Sequence, residues 1–431
     1  RSKSVMRPIR SRTTTSATTT TTTARITQVL SPSSTSPPRS HPQDRTGAAS
    51  QAVDRHRGRR RARPSPPEAG PCEWSDHDGN FWLFGGFNEN FLFKFDIATS
   101  SWTWMNGSSL GGQYGSYGVQ GIPSASNHPG ARQATATWVD DDNNLWLFGG
   151  YGQGATGLSG GLNDLWKYDI TTNEWTWMSG STLTGTIGFY GTQGAPDPAN
   201  VPPARLETAA TWTDSSNNLW FFGGQLCCTV NGYIDDVWKY NIATNEWTWM
   251  KGSNVYGASP VHGIKGIPDA QNTPGARRVY AHWKRENQFW LFGGQDYVQG
   301  CFNDLWEYDI PSNNWTWMKG SSVSNSAGSF GTSCVFDSLN EPPARMENRF
   351  CWTDSCNNFW MFGGLGYNET TGNAEFYNDL WRYNPTTNQW TWMGGSSGTN
   401  ATGSYGTLGV AAGGNVPGAR RGGAGYFDGT Y

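Results

Sequence analysis

The sequence predicts an all-β protein built from repeated units of four short strands. Three strings carry this prediction, and each occurs five times: an aromatic or aliphatic residue followed by Phe-Gly-Gly, Trp-Thr-Trp-Met, and Pro-(Gly/Pro)-Ala-Arg. All 24 tryptophans fall into columns of the same repeat. Self-similarity at a regular spacing is typical of repeat architectures, so no tryptophan is left over for a private ligand site.

Each unit divides into strands A to D, illustrated by the second copy. Strand A follows the repeated arginine (133–139), strand B ends at the glycine pair (145–148), strand C is 164–169 and strand D is 174–178. Asp- and Asn-rich turns separate A from B and C from D. The period of two in Trp-Thr-Trp places both indoles on one face of strand D. The glycine pair suits a close backbone approach or a bulge.

An N-terminal tail precedes the repeats. Residues 1–70 carry 14 basic and three acidic side chains, whereas residues 71–431 carry 17 basic and 31 acidic ones. The first 70 residues also contain no Phe, Tyr, Trp or Cys. This Thr-, Ser-, Pro- and Arg-rich tail has too little apolar surface to offset its ordering entropy, so we expect it to be disordered. Its arginine cluster, 55–63, fits either a nuclear-localisation or nucleic-acid patch or a solvated charge run. A mean hydropathy of −0.62 and short apolar runs exclude a span of about 20 apolar residues.

The strings Leu-Phe-Gly-Gly, Asn-Asp-Leu-Trp-Lys-Tyr-Asp and Asn-Glu-Trp-Thr-Trp together resemble the kelch motif. The resemblance covers residues 71–431 and implies a kelch-type β-propeller, with one four-stranded blade per repeat and strand A nearest the axis. We place the repeats at about 71–131, 132–204, 205–276, 277–344 and 345–419, with a partial repeat at 420–431. Five blades are therefore recognisable, followed by the start of another. We expect an incomplete chain of a six- or seven-blade protein, or a five-blade ring closed by the last strand.

The repeats are longer than the usual kelch unit of about 50 residues, and the excess is an insert between strands D and A. The distance from the Met of Trp-Thr-Trp-Met to the repeated arginine is 27 residues in all five copies. The insert keeps one aromatic or histidine column, and this constant pattern predicts that it folds onto the propeller: Tyr117, Tyr190, His262, Phe330 and Tyr405. Antiparallel strand order puts the B–C loops and D–A inserts on one rim, the loop-rich face. Because the B–C loops vary in length, we expect binding there.

The repeated arginine stands at the start of strand A, so five guanidinium groups should circle the channel mouth: Arg132, Arg205, Arg277, Arg345 and Arg420. Kelch domains that capture acidic peptides use arginines in similar positions, which implies an acidic partner. The alternative is that each arginine pairs with a carboxylate or carbonyl of its own or a neighbouring blade. Glu207 and Glu347, two residues along an extended strand, are candidate partners. Repetition in every blade favours the structural role.

Six cysteines are disulfide candidates: Cys227, Cys228, Cys301, Cys334, Cys351 and Cys356. The first four should converge on the loop-rich face, where a bridge such as Cys228–Cys301 is plausible, although sequence cannot fix the pairing. Cys351 and Cys356 flank an A–B turn and could pair separately. Disulfides would favour an extracellular over a cytosolic location, and scattered free thiols are the alternative.

The sequence favours a non-catalytic protein-interaction or adhesion scaffold. Its partner is expected to be another protein, an acidic peptide segment or a glycan, and the body's excess of acidic residues disfavours nucleic acid. A carbohydrate-binding propeller is the first alternative. The second is an enzyme like the copper radical oxidases, whose metal needs two His and Tyr ligands. The body's histidines belong to separate parts of the repeats, so we expect no cofactor and no metal: His77, His128, His262 and His282.

Overall fold

A computed structural model describes residues 70–422 apart from 87, 209, 228–230, 299, 349 and 369–372. In this part of the chain every regular element is a β-strand, and five antiparallel sheets follow one another as blades. The predicted all-β propeller with four-stranded blades is confirmed. The tail and the partial repeat beyond residue 422 fall outside the described residues.

The strands occur in the predicted order. Blade one contains β1 (Cys72–Ser75), β2 (Phe81–Phe84), β3 (Leu92–Asp96) and β4 (Ser101–Asn106). Blade two contains β5 (Arg132–Gln133), β6 (Ala136–Val139), β7 (Leu145–Phe148), β8 (Tyr151–Gly152), β9 (Gly160–Gly161), β10 (Leu165–Asp169) and β11 (Glu174–Ser179). Blade three contains β12 (Arg205–Leu206), β13 (Thr211–Thr213), β14 (Leu219–Cys227), β15 (Asn231–Asn241) and β16 (Glu246–Lys251). Blade four contains β17 (Ala281–Arg285), β18 (Gln288–Phe292), β19 (Leu305–Asp309) and β20 (Asn314–Lys319). Blade five contains β21 (Cys351–Thr353), β22 (Phe359–Tyr367), β23 (Ala374–Asn384) and β24 (Gln389–Gly394).

Strand A of blade two differs from the single strand predicted. It is divided into β5 and β6, because Ala134 between them has a φ of 60° and cannot continue a pleated strand. The equivalent residues Glu207, Val279 and Glu347 have φ values of 57°, 51° and 55°. The chain therefore bends at the same point in four blades, two residues after the repeated arginine.

Tryptophan seams hold neighbouring blades together. Between blades one and two, Trp74 and Trp82 pack in one cluster with Trp166 and Trp175, and corresponding clusters join the later pairs. The Trp74 indole also donates to the carbonyl of Trp146 in the next blade at 2.9 Å. Each indole can bury 150–250 Å², so the repeated tryptophans supply much of the core.

The glycine pairs receive the backbone of the following blade. Gly149 and Gly150 have φ values of 67° and 90°, and the amide of Gly150 donates to the carbonyl of Arg205 at 2.8 Å. A Cβ atom on Gly149 would lie 2.9 Å from that same carbonyl oxygen. The close backbone approach expected from the sequence thus occurs between adjacent blades.

The D–A inserts cover the outer edge of the next blade. The side-chain amide of Asn127 donates to the carbonyl of Trp175 in β11 at 3.1 Å, and Gly121 donates its amide to the Trp177 carbonyl at 2.9 Å. Asn200, Asn272 and Asn340 repeat the first contact in later blades. The insert therefore folds onto the propeller and protects an otherwise open strand edge.

Candidate functional site

Four of the five repeated arginines are buried in ion pairs with an aspartate of strand C. Arg132 lies 2.6 Å from Asp164, with both side chains fully buried. The same pairs recur in blades three to five: Arg205–Asp236, Arg277–Asp304 and Arg345–Asp379. Each guanidinium also donates to a glycine-pair carbonyl of its own blade, as Arg132 does to Gly149 at 3.1 Å. These four arginine side chains are fully buried inside the blades.

The aromatic column of the insert completes the same buried groups. The hydroxyls of Tyr117 and Tyr190 donate to Asp164 and Asp236, each at 2.7 Å, and His262 lies 3.2 Å from Asp304. Burial and the neighbouring Asp164 raise the pKa of Tyr117, so it remains a neutral donor. In blade four, burial alone would raise the pKa of Asp304, but Arg277 and His262 outweigh it and the pKa is lowered.

Three members of the arginine and aromatic columns lack these contacts. Phe330 has no hydroxyl and packs against Trp381 and Trp392. Tyr405 is 74% exposed, and the Arg420 side chain donates to the Gly418 carbonyl at 2.9 Å. The expected ring of five equivalent arginines is therefore four buried pairs and one partly exposed residue.

The expected carboxylate partners of the arginines were wrong. The sequence predicted Glu207 and Glu347 as partners, because on an extended strand their side chains would point the same way as the arginine two residues earlier. Their positive φ values break that alternation, and the aspartates of strand C take the position instead. The structural interpretation itself agrees with the geometry of four blades.

Arg278 is the functional candidate that the sequence analysis missed. It follows the buried Arg277 and lies at the loop-rich face, where its two terminal nitrogens contact the side-chain oxygens of Gln225 at 3.0 Å and Gln295 at 3.4 Å. Its Nε is buried and makes no hydrogen bond. Since a guanidinium has five N–H donors, two of them on each terminal nitrogen, one N–H group on each terminal nitrogen remains for a further acceptor. The equivalent positions are Gln133, Leu206, Met346 and Arg421, and this variation within the repeat was the available signal.

One tyrosine ring borders the Arg278 guanidinium, and a second tyrosine packs on that ring. The guanidinium lies 5.0 Å from the ring centre of Tyr233, and Tyr297 packs edge-on against Tyr233 at 5.8 Å. Burial raises the pKa of Tyr233, whereas Arg278 opposes that shift and Glu207 and Asp296 reinforce it. The guanidinium is thus held in one plane between two amides and an aromatic face, with acidic groups in its surroundings.

Exposed apolar side chains also stand on the loop-rich face. Val298 and Leu158 on B–C loops are 82% and 86% exposed. One position shared by four inserts holds an exposed aliphatic residue: Leu110, Leu183, Val255 and Val323. A serine hydroxyl accepts the backbone amide of each of them, at 2.9–3.1 Å. The face therefore offers exposed apolar side chains in addition to the Arg278 guanidinium.

Five of the described cysteines are free thiols, and the described members of the candidate set do not converge: Cys72, Cys301, Cys334, Cys351 and Cys356 are free. Cys227 contacts the Ala204 carbonyl, Cys301 is buried with Val279 and Met346, and the thiol of Cys334 contacts the outer strand β24. Cys228 lies outside the described residues. Cys351 donates to the His282 carbonyl at 3.4 Å while Cys356 is exposed, so the expected pair across the A–B turn is absent because the two thiols face different surroundings.

The four histidines of the body lie apart. His128 contacts Asn90, His262 contacts Asp304, and His282 is in the inner strand β17, whereas His77 is in the A–B turn of blade one. Across residues 70–422, with the gaps given above, no group of three or more His, Cys, Asp or Glu side chains is arranged to hold a metal ion. The same residues contain no helix long and apolar enough to cross a membrane.

Comparison with known families and proteins agrees with the fold. The KLHDC2/KLHL20/DRC7 Kelch-repeats domain matches residues 193–416. N-acetylneuraminate epimerases from Escherichia coli O139:H28 and K12 are each 25% identical over 218 residues, covering 47% of this chain and 53% of theirs. The chain thus spans about half the length of these curated relatives. The solved structure described as "Structure of YjhT" gives a TM-score of 0.50 at 15% identity, covering 78% of this chain and 87% of that one.

Proposed function

The chain belongs to the kelch-repeat family, and on that premise we propose that it is a non-catalytic binding module whose loop-rich face captures a partner bearing a carboxylate. Arg278 is the anchor, and the uncommitted N–H groups of its two terminal nitrogens are the observation that carries the proposal. The planar guanidinium fork matches a carboxylate. The surrounding exposed aliphatic side chains favour a protein segment as the partner.

A carboxylated glycan is the second candidate. It is supported by the names of the distant relatives, which are N-acetylneuraminate epimerases, by Tyr233 beside Arg278 and by Tyr297 packed on Tyr233. A sugar acid could use the same guanidinium, with the tyrosine rings as apolar walls. The two candidates share their anchor and differ in how much of the loop-rich face they cover.

Binding of two probes to the full-length chain tests the proposal. Random octapeptides with one Asp or Glu are screened beside N-acetylneuraminic acid, and the affinity of any binder is measured by calorimetry. We expect Arg278→Ala to weaken binding at least tenfold with little change in stability, and Arg278→Lys to restore it partly. The control Leu158→Ala should weaken the binding of peptides and leave the binding of N-acetylneuraminic acid unchanged. Equal binding by the wild type and Arg278→Ala, or no binding of either probe class, would overturn the proposal.

A further inference from the structure

One surface turn combines an exposed asparagine with the residues that an N-linked glycan requires. Four Asn-x-Ser/Thr strings without proline occur in the chain, beginning at Asn106, Asn314, Asn368 and Asn400. Such a string is necessary for the modification, but it is short and recurs by chance, so the surroundings of each asparagine distinguish the four. The glycan is carried by the side-chain nitrogen Nδ2, which must therefore be free of other contacts in the folded protein.

Three of the four strings are poorly placed for a glycan. Asn106 donates through Nδ2 to the C–D turn of blade two at 3.3 and 3.2 Å. Asn314 begins β20, and the hydroxyl residue of its string, Thr316, is only 7% exposed within that strand. Asn368 donates through Nδ2 to Glu375 at 2.9 Å, and its string continues into residues outside the described part of the chain. A glycan would displace the contacts of the first and third asparagines, and the second string is part of a packed strand.

Asn400 is held through its other side-chain atom. Its Oδ1 accepts the Phe376 amide at 3.0 Å, and its own backbone amide donates to the Phe376 carbonyl at 2.7 Å. Its Nδ2 donates to none of the described residues. Both Asn400 and Thr402, the hydroxyl residue of the string, are exposed. The contacts with Phe376 therefore position the asparagine and leave Nδ2 open to a substituent.

The same turn recurs in all five inserts, where it joins the insert to the B–C segment of the preceding blade. In the first three inserts a glycine with positive φ donates its amide to a B–C carbonyl at 2.7–2.8 Å: Gly112, Gly185 and Gly257. The fourth insert has Asn325 at a φ of 58°, with its Oδ1 accepting the Cys301 amide at 2.9 Å, and the fifth has Asn400 at a φ of 55°. Asparagine tolerates this left-handed conformation, so the turn accounts for both asparagines. It does not account for Thr402, since Asn325 has Ala327 at the corresponding position.

We propose that Asn400 is an N-glycosylation site on the loop-rich face of blade five. The donor is an oligosaccharide linked to a polyisoprenyl diphosphate. The Nδ2 atom bonds to the anomeric carbon C1, the bond between C1 and the diphosphate oxygen breaks, the diphosphate leaves with that electron pair, and Nδ2 loses one proton. The Oδ1 atom and the backbone amide of Asn400 take no part, so both contacts with Phe376 persist. The site is separate from Arg278, which lies between the B–C segments of blades three and four.

Secretion of the full-length chain from a eukaryotic cell, behind a cleavable signal peptide, tests the site. Glycopeptide mass spectrometry should find the glycan on Asn400, at an occupancy at least tenfold above that of Asn106 and Asn314. Asn400→Gln and Thr402→Ala should each abolish it, and Thr402→Ser should retain part of it. Because Thr402→Ala keeps the Oδ1 contact of Asn400, it separates loss of the acceptor string from loss of the fold. Circular dichroism confirms that each secreted variant is folded.

The fourth insert offers a matched variant that gains a site. Ala327 is exposed, and Ala327→Thr creates the string at Asn325, which has the same conformation and the same Oδ1 contact as Asn400. We expect a second glycan on Asn325 in this variant. Arg278→Ala should leave the occupancy of Asn400 unchanged while it weakens the binding of carboxylate probes, so failure of this proposal and failure of the proposed function are seen separately. An unmodified Asn400 in secreted, folded protein, equal occupancy at Asn106, or an unmodified Asn325 in Ala327→Thr would overturn the proposal.

Discussion

Removing one buried arginine–aspartate pair should cost the protein much of its stability. Asp236 accepts from Arg205 at 2.6 and 2.8 Å, from Tyr190 at 2.7 Å and from Trp238 at 2.8 Å. Breaking a buried pair typically costs about 3–5 kcal/mol, and each neutral donor left without an acceptor adds about 1–3 kcal/mol. We therefore expect Arg205→Ala to lower the free energy of unfolding by about 3–5 kcal/mol. Asp236→Ala should cost more, because it strands three donor groups.

Urea unfolding followed by tryptophan fluorescence measures these losses. In a double-mutant cycle, Arg205→Ala/Asp236→Ala should lose less than the sum of the two single variants, because the second change removes an already unpaired charge. Arg278→Ala is the matched control: it removes an arginine with no carboxylate in its hydrogen bonds, so a loss of about 1 kcal/mol or less is expected. An Arg205→Ala loss no larger than that of Arg278→Ala would refute a structural role for the arginine column.

Three further substitutions test other parts of the account. Phe330→Tyr should add a hydroxyl equivalent to the one that Tyr190 donates to Asp236, and should raise the free energy of unfolding by about 1 kcal/mol. Tyr190→Phe removes that hydroxyl and should lower the free energy of unfolding by about 1.5–3 kcal/mol. Urea unfolding measures both changes. Gly223→Ala places an L residue at a φ of 60°, with its Cβ 2.8 Å from the Ile234 carbonyl oxygen. It should therefore lower the free energy of unfolding by at least about 1 kcal/mol. The loss should exceed that of Gly266→Ala, where φ is also positive but the Cβ would meet no atom within 4 Å. Burial raises the pKa of Glu307 from 4.5 to about 7, reinforced by Asp309 and opposed by Arg285. The folded state therefore favours the proton, so the thermal midpoint should fall as pH rises from about 4.5 to about 7, and Glu307→Gln should flatten that dependence.

The repeat pattern predicted the blades because it places apolar and turn residues at fixed positions in all five copies. The glycine pair likewise predicted a close backbone approach, and in the structure the Arg205 carbonyl accepts a hydrogen bond from the Gly150 amide. The acidic partners of the arginines could not be predicted in the same way. Asp236 belongs to the repeated strand C motif, but it lies 31 residues from Arg205 in the sequence, and nothing in the pattern indicates that the two side chains meet. Glu207 is only two residues from Arg205, and an extended strand would have brought those two side chains together.

Two other features depended on local backbone geometry. The left-handed conformation of Ala134 has no glycine or asparagine to signal it, so the division of strand A could not be predicted. Arg278 became a candidate only when the structure buried Arg277 and left its neighbour at the loop-rich face. A search for the repeat position that holds Gln, Leu and Met in three copies and arginine in the other two would have identified it together with Arg421.

Hydrogen-exchange mass spectrometry of the full-length chain, with and without the tightest-binding octapeptide from the screen, tests binding at the loop-rich face most directly. Protection on binding should appear around Gln225, Arg278 and Gln295, and should disappear in Arg278→Ala. The A–B turns lie on the rim opposite the loop-rich face, and their amides should exchange at unchanged rates: residues 140–144, 214–218 and 354–358. Protection confined to those turns, or an unchanged footprint in Arg278→Ala, would contradict the account.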